Sequence, residues 1–351
     1  MSNRMLSVAL LLGLLLNGCL NAGHQESLEV ELSFYHWKSS LQLKQTEWAY
    51  LEKLKSSKLY VKFFDVDWNP ASKQAIPVAP LKVPQQPEFS LPTVVPVVFI
   101  TNRTLIHLPD TQLPLLAEQM TQKIQSIWFS FPPQIPIQAL QIDCDWTETT
   151  RAKYFRLLEL LQQSFDPSVQ WSATIRLHQI KYFRQTGVPP VDRGMLMCYN
   201  TGDVRSPATQ NSILDSATLQ SYLFNFEKYP LSLDLALPVF RWGVLFRDDR
   251  MIRLINGLTP EALADVQRFR LSKPGHYEVL KGTFLQGHYL YAGDDIRLES
   301  IEPALLQTTV QQLKPLWPSS RFTLAFYQLD SAMLEAFPPT SLEQVRMDFE
   351  Q

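Results

Sequence analysis

The 351-residue sequence is poor in cysteine and glycine and has no excess of positive charge. Three cysteines are too few for a disulfide-stapled miniprotein, and 12 glycines exclude a collagen-like chain. Lys and Arg number 32 against 34 Asp and Glu, so we expect no nucleic-acid partner. No glycine-rich phosphate loop and no Gly-x-Ser-x-Gly elbow occur, so nucleotide chemistry and an α/β-hydrolase triad lack support. Hydrophobic residues nonetheless make up 45%, which indicates a globular protein with a sizeable core.

A long apolar run is also missing, and the most apolar stretch lies at the N-terminus. Residues 6–16 follow Arg4 and are mainly apolar, but a bilayer-spanning helix needs roughly 20 such residues. The run ends in Leu16-Asn17-Gly18-Cys19, which resembles the lipidation box of bacterial lipoproteins. We predict a signal peptide over 1–18, a lipidated Cys19, a tether over 19–29, and a membrane-anchored location in the bacterial cell envelope, facing the periplasm or on the outer membrane. An ordinary secretory signal with an incidental cysteine is the alternative.

The rest of the chain alternates between β-branched or aromatic runs and amphipathic helical patterns. We predict strands over 29–37, 58–66, 94–101, 139–146, 170–177, 194–200, 232–240 and 321–329. Helices are predicted over 46–55, 149–163, 214–226 and 302–313. Eight strands separated by helices predict the α/β class and a single (β/α)8 TIM barrel over residues 30–335, followed by a C-terminal tail over 336–351.

Two segments interrupt this alternation. Residues 69–92 contain six prolines and predict an extended loop over one face of the barrel. Residues 247–293 read as a small β-rich insertion between the seventh and eighth strands, because their later part alternates aromatic or apolar with small or polar residues.

Polar and aromatic residues gather where the predicted strands end, which is where a (β/α)8 barrel carries its function. On the fourth strand, the period of two places Asp143, Asp145 and Thr147 on one face and Cys144 on the other. Arg176 is expected to neutralise one of these two aspartates. From the other strand ends we predict that the substrate contacts His36, Trp37, Asp65, Asp67, Arg176, His178, Asn200, Trp242 and Gln328.

The cysteines that follow Cys19 are not expected to form a disulfide. Cys144 and Cys198 lie on the outward faces of the fourth and sixth strands, with one strand between them, so their Cα atoms exceed the disulfide limit of about 7 Å. No Cys or His cluster has the spacing of a zinc site, and Asp65-x-Asp67 alone is a small set for calcium. We predict two buried free thiols, no metal, no cofactor and a monomeric chain.

Three of the strand ends resemble one enzyme family. Ile142-Asp143-Cys144-Asp145-Trp146, Met197-Cys198-Tyr199-Asn200 and the segment 235–240 resemble the Asp-x-x-Asp-x-Asp-x-Glu, Met-x-Tyr-Asp and Gly-x-Pro-x-Tyr-Gly segments of glycoside hydrolase family 18. The chain as a whole resembles bacterial lipoproteins built on such a barrel. The resemblance implies a saccharide or polysaccharide ligand and catalytic roles for Asp143, Asp145 and Tyr199. By that resemblance, Asp145 orients an acetamido group and Tyr199 supports a cyclised intermediate.

The sequence departs from the family pattern at the residue that matters most for catalysis. Thr147 stands where the family has its proton-donating Glu, and a threonine hydroxyl is too weak an acid to replace it. Leu140 replaces the first Asp of the signature, and Asn200 replaces the Asp of the sixth strand.

Three functions therefore stay open. The protein hydrolyses a glycan with a rearranged carboxylate pair, in which Asp65, Asp67, Glu148 or Asp330 joins Asp143 or Asp145. Alternatively, it is a carbohydrate-binding pseudo-enzyme that keeps an aromatic cleft of Trp37, Trp68 and Trp242. In the third reading it is an envelope scaffold that binds a partner. Three structural observations discriminate among these functions. The distance between the carboxylates tests hydrolysis, the placement of the tryptophans tests saccharide binding, and the path of residues 69–92 tests the scaffold.

Overall fold

The computed structural model of the chain describes residues 28–84, 91–131 and 136–351. The predicted signal peptide, Cys19 and most of the tether lie outside these residues. The strands in chain order are β1 (Glu29–His36), β2 (Lys58–Asn69), β3 (Gln74–Val78), β4 (Thr93–Ile100), β5 (Ala139–Cys144), β6 (Gln170–Arg176), β7 (Arg193–Met197), β8 (Leu233–Pro238), β9 (Trp242–Arg247), β10 (Arg250–Asn256), β11 (Phe269–Lys273), β12 (His276–Val279), β13 (Thr283–Leu285), β14 (His288–Leu290), β15 (Asp295–Glu299) and β16 (Arg321–Tyr327).

The helices surround the strands in the same chain order. They are α1 (Gln45–Lys53), α2 (Asn102–His107), α3 (Leu113–Trp128), α4 (Arg151–Gln162), α5 (Leu177–Lys181), α6 (Phe183–Thr186), α7 (Ser216–Tyr222), α8 (Pro303–Leu313), α9 (Ser331–Leu334) and α10 (Pro339–Glu350). Short 3-10 turns occupy Asp110–Gln112, Phe226–Lys228, Glu261–Leu263 and Lys314–Leu316. Across the described ranges, no helix combines the length and apolar character that crossing a bilayer requires.

Eight parallel strands close into a barrel, which confirms the predicted (β/α)8 fold. Their order is β1-β16-β8-β7-β6-β5-β4-β2, and the pairing of β2 with β1 closes the ring. In β5, which corresponds to the fourth predicted strand, every residue after Ala139 is buried, as expected of a parallel strand that is covered on both faces. Trp146, just after it, is fully buried and stacks on Tyr154 of α4 at 5.1 Å.

The proline-rich segment differs from its prediction. Instead of an extended loop beginning at residue 69, β2 continues to Asn69 and turns back into β3, which pairs with it antiparallel. Residues 85–90 lie outside the described part. Within the described residues between β2 and β4 there is no helix, so the hairpin occupies the position at which a (β/α)8 barrel carries its second helix.

The β-rich insertion between the seventh and eighth barrel strands, β8 and β16, is present but larger than predicted. It begins at Trp242 rather than 247 and ends at Glu299 rather than 293, because β9 and β15 form the centre of its five-stranded antiparallel sheet. The insertion has a hydrophobic core of its own, to which Leu245, Phe269 and Ile296 contribute.

The C-terminal residues 336–351 form part of the barrel rather than a tail. They contain α10, whose Leu342, Val345 and Phe349 are fully buried against the main core. Phe349 lies 5.1 Å from the ring of Phe322 on β16. The segment therefore supplies the final helix of the (β/α)8 repeat.

Both predicted free thiols are confirmed. Cys144 and Cys198 are unpaired and fully buried. Burial raises the pKa of the Cys198 thiol to about 12, so this thiol stays protonated at neutral pH.

Candidate functional site

The carboxyl ends of the barrel strands form a polar and aromatic cluster, which we call the barrel mouth. Asp143 lies at its base on β5 and is 6% exposed. Its Oδ1 accepts a hydrogen bond of 2.6 Å from the hydroxyl of Thr174 on β6. Burial raises the pKa of Asp143 to about 6, against the opposing effect of Arg176. Asp143 is thus a carboxyl group that holds its proton in weakly acidic solution.

Asp145 lies one inward position further along and is paired with Arg176. The Arg176 Nε donates to Oδ1 at 2.5 Å and Nη2 donates to Oδ2 at 3.2 Å, so both carboxylate oxygens are engaged. The same guanidinium group lies 5.8 Å above the ring of Tyr199. This bidentate geometry is the neutralisation that the sequence predicted for Arg176.

Four aromatic rings line the mouth, and we call them the aromatic floor: Trp37, Tyr199, Phe240 and Tyr327. Tyr327 is central, with ring centroids 5.4 Å from Tyr199, 5.7 Å from Trp37 and 5.8 Å from Phe240. Tyr199 is 7% exposed and donates its hydroxyl to the Met197 sulfur at 2.9 Å. Trp37 and Tyr327 keep intermediate exposure, so these two residues are the more accessible part of the floor.

A β-bulge in β2 adds a charged pair that the sequence did not predict. Lys62 is in register with Val97 of β4, whereas Phe64 is in register with the very next residue, so Phe63 is the extra residue. Lys62 and Asp65 consequently both face the barrel interior. The Lys62 Nζ lies 3.1 Å from Asp65 Oδ2 and 5.7 Å from the Trp37 ring centroid.

Asp67, one inward position above Asp65, has its carboxylate fully engaged at the rim. Arg103 donates to both of its oxygens, and the Thr101 hydroxyl donates to Oδ1 at 2.7 Å. These hydrogen bonds, Arg103 first, lower the pKa of Asp67 to about 2. The neighbouring Trp68 points away from the interior and stacks on His107 at 5.6 Å. The predicted aromatic cleft therefore does not include Trp68.

Three further predicted contacts lie around the rim. His178 is exposed on the first turn of α5, and partial burial lowers the pKa of its imidazole. Asn200 is exposed directly after Tyr199, with a left-handed backbone (φ 55°). Gln328 follows Tyr327 through a cis peptide bond and is partly buried. Their role in substrate contact stays a prediction.

Two predicted contacts are placed behind the mouth. His36 is 0% exposed, and its Nε2 lies 2.9 Å from the carbonyl oxygen of Ser40. Trp242 is 9% exposed and donates its indole N–H to Glu299 at 2.8 Å. Since His36 is fully buried, its placement does not fit the predicted contact with substrate. Trp242 lies 5.1 Å from the floor ring of Phe240, and its contact with substrate stays a prediction. Of the three tryptophans of the predicted cleft, Trp37 lies in the aromatic floor, Trp242 lies beside it and Trp68 lies outside it.

The position of the family's proton donor is occupied as the sequence indicates. Thr147 is exposed, and its hydroxyl lies 2.9 Å from that of Thr149. Glu148 is exposed in the turn that follows β5. Phe240 and Tyr327, which were not predicted as contacts, lie within the last three residues of the predicted strands 232–240 and 321–329, so their position near strand ends offered a signal, whereas the bulge that turns Lys62 inward left none.

The mouth is built from protein groups that balance one another's charge. Lys62 faces Asp65, and Arg176 faces Asp145, while Asp143 carries its proton below about pH 6. In the residues that the structure describes, no group of three His, Cys, Asp or Glu side chains is arranged to hold a metal ion.

Comparison with solved structures places the fold among chitin- and cortex-degrading enzymes. The spore cortex-lytic enzyme SleL of Bacillus cereus gives a TM-score of 0.53 at 11% identity over 92% of this chain and 75% of that chain. A Group IV chitinase of Ostrinia furnacalis gives 0.53 at 9% identity over 92% and 100%. A chitinase of Chromobacterium violaceum gives 0.51 at 9% identity over 90% and 98%.

No family model and no curated protein matches the sequence. At identities near 10% the structural likeness concerns the fold alone. The architecture is a (β/α)8 barrel like that of glycoside hydrolase family 18, which confirms the fold implied by the sequence resemblance.

Proposed function

We propose that this protein is a lipid-anchored protein of the bacterial cell envelope whose barrel mouth binds a saccharide or polysaccharide. The observation that carries the proposal is the aromatic floor beside the Asp145–Arg176 pair at the carboxyl ends of the strands. Sugar rings present apolar C–H faces that stack on aromatic rings. Their hydroxyl groups accept hydrogen bonds from cationic side chains and donate hydrogen bonds to carboxylates. The mouth offers both kinds of contact within one ring of strands.

The ligands to test first are chitin oligosaccharides and spore-cortex glycan strands, because the structural neighbours are named for these polymers. The purified protein is titrated calorimetrically with chitohexaose and with solubilised cortex glycan strands, and cellohexaose serves as the comparison sugar. We expect chitohexaose or the cortex glycan to bind more tightly than cellohexaose. If none of the three saccharides binds to the folded protein, the proposal of saccharide binding is wrong, and an envelope scaffold that binds a partner becomes the favoured function.

The chain offers a matched pair of tryptophans for this titration. Trp37 lies in the aromatic floor, whereas Trp68, also partly buried, stacks on His107 outside it. Trp37→Ala should weaken binding about tenfold, which corresponds to roughly 1.4 kcal/mol of lost contact. Trp68→Ala should bind like the wild type. Equal losses in both variants would place the ligand elsewhere.

The lipid anchor rests on the Leu16-Asn17-Gly18-Cys19 box after a short apolar run. The test replaces Cys19 with Ser in the full-length protein expressed in a bacterial host, with labelled palmitate in the medium. The wild-type protein should take up label and sediment with membranes, because stable anchoring requires more than one acyl chain. The Cys19→Ser protein should take up no label. Label retained by that variant would exclude Cys19 as the anchor.

A further inference from the structure

Two acidic side chains of the barrel mouth, Asp65 and Asp143, lie on the two strands that flank β4. Asp65 of β2 is in register with Phe99 of β4, and Phe99 is in register with Asp143 of β5. Because neighbouring strands lie about 4.8 Å apart, the two Cα atoms are separated by roughly 9–10 Å. The shared register gives both side chains, and that of Phe99 between them, the same inward direction, and Asp65 lies within electrostatic range of Asp143.

The other acids of the cluster are already committed to protein partners. Both oxygens of Asp145 accept from Arg176, and both oxygens of Asp67 accept from Arg103. Asp330 pairs with Lys38 at 2.7 Å and accepts from the first turn of α9. All three carboxylates thus have both of their oxygens engaged by protein donors.

Asp65 differs from them in one oxygen. Its Oδ2 is held by Lys62 at 3.1 Å, but its Oδ1 is buried and has no hydrogen-bond partner in the described part of the chain. A buried acceptor without a donor is costly, and such groups concentrate at functional positions. A water molecule or ligand hydroxyl at Oδ1 would satisfy it.

We propose that Asp143 and Asp65 form the acid and base of an inverting glycoside hydrolase that acts on the saccharide bound at the mouth. The inference rests on the proposed saccharide-binding function and extends it to a reaction. Inverting glycosidases keep their two carboxyl groups about 6.5–9.5 Å apart to leave room for a water molecule, and the strand register is compatible with this range.

The reaction balances with these two groups and one water molecule. Asp143 gives its proton to the glycosidic oxygen as the bond from that oxygen to the anomeric carbon breaks. Asp65 Oδ1 takes a proton from water as the water oxygen bonds to the same carbon from the opposite face. Asp143 is then ionised and Asp65 protonated, and exchange of protons with solvent restores the starting state.

The surroundings of each residue suit its role. Burial raises the pKa of Asp143 to about 6, so the carboxyl carries the proton that a general acid requires in weakly acidic solution. Lys62 fixes one oxygen of Asp65, and the other oxygen is buried without a hydrogen-bond partner in the described residues. Tyr327 lies within electrostatic range of both acids and supplies the ring on which the sugar would stack.

The experiment measures reducing-end release, and early product anomers by ¹H NMR, with chitohexaose and with cortex glycan strands. The wild type should release the α anomer from these β-linked substrates. Asp65→Asn and Asp143→Asn should lower turnover roughly 10²–10⁴-fold while calorimetric affinity is retained. Azide should restore turnover to Asp65→Asn and yield an α-glycosyl azide, since an anionic nucleophile needs no base. Glu148→Gln, which removes an exposed acid outside the pair, should retain wild-type turnover.

Each outcome decides between the two proposals. Initial release of the β anomer, full turnover in Asp65→Asn, or loss of turnover in Glu148→Gln overturns the acid–base pair. Binding without any cleavage also overturns the pair and leaves the saccharide-binding function standing. If neither glycan binds to the folded protein, the binding function fails and the pair fails with it.

Discussion

The most demanding test of the packing concerns Glu299, a buried carboxylate that joins the insertion to the barrel. Glu299 and Arg297 on β15 are 2% and 1% exposed, and their side chains pair at 2.6 Å. Glu299 Oε2 also accepts from the amide and hydroxyl of Ser212 and from the Trp242 indole, at 2.8, 2.6 and 2.8 Å. Arg297 in turn donates to the carbonyl of Ser206 at 2.6 Å.

Glu299→Ala should therefore destabilise the fold strongly. Removal of one member of a buried ion pair costs about 3–5 kcal/mol because the other charge stays buried without a partner. The variant also leaves the hydrogen-bond donors of Ser212 and Trp242 without their acceptor. The free-energy costs of these losses do not simply add, because all of the groups belong to one network. For a chain of this length the unfolding entropy is roughly 0.7 kcal/mol per kelvin, so a loss of about 4 kcal/mol lowers Tm by about 6 °C.

Calorimetric or fluorescence-detected melting of the purified proteins measures the effect. Glu159→Ala is the matched control, because it removes an ion pair with Arg156 in which the side chains are 48% and 53% exposed. An exposed pair contributes less than about 1 kcal/mol, so that variant should melt within about 1 °C of the wild type. Equal Tm values for the two variants would refute the buried-network reasoning.

Two further predictions concern Asp143 and the C-terminal helix. The folded-state pKa of Asp143, about 6, lies above its unfolded value near 3.9, so the wild type loses stability as pH rises from about 4 to about 6. Asp143→Asn should thus melt like the wild type at pH 4 and be more stable by about 3 kcal/mol at pH 7.5; a pH-independent difference in Tm would contradict the pKa. Phe349→Ala should cost about 3–5 kcal/mol, because this fully buried ring packs against Phe322 and Trp317. Phe129→Ala, at an 85% exposed ring, should change urea unfolding little, and similar losses for both would show that α10 is not part of the core.

Much of the architecture was predictable because it depends on local patterns. Strand spacing and β-branched runs placed all eight barrel strands, and the period of two placed Asp143 and Asp145 inward and Cys144 outward. The same parity predicted that Arg176, on the next strand, would neutralise one of these aspartates. These inferences hold because side-chain direction in a strand follows from residue parity alone.

Other features depend on contacts that no local pattern reports. The helix within residues 336–351 did carry a local signal, because its buried Leu342, Val345 and Phe349 are spaced i, i+3 and i+7, and only its packing against the barrel depends on the tertiary structure. Trp68 and Trp242, like Trp37, lie near the ends of predicted strands. Trp68 nevertheless stacks on His107 of α2, and Trp242 donates a hydrogen bond to Glu299 within the insertion. A tryptophan at a strand end packs against whichever surface the neighbouring elements provide.

By itself, the sequence determined the barrel, the polar character of its mouth and the absence of an acid at position 147. The tertiary structure decided which of those polar residues work together. A single inserted residue in β2 reverses strand parity between Lys62 and Phe64. It thereby sets Lys62 and Asp65 on the same inner face, with Asp65 in register, through Phe99, with Asp143. The extra residue, Phe63, stacks on Phe131 at 5.8 Å, and such long-range contacts have no periodic signature in the chain.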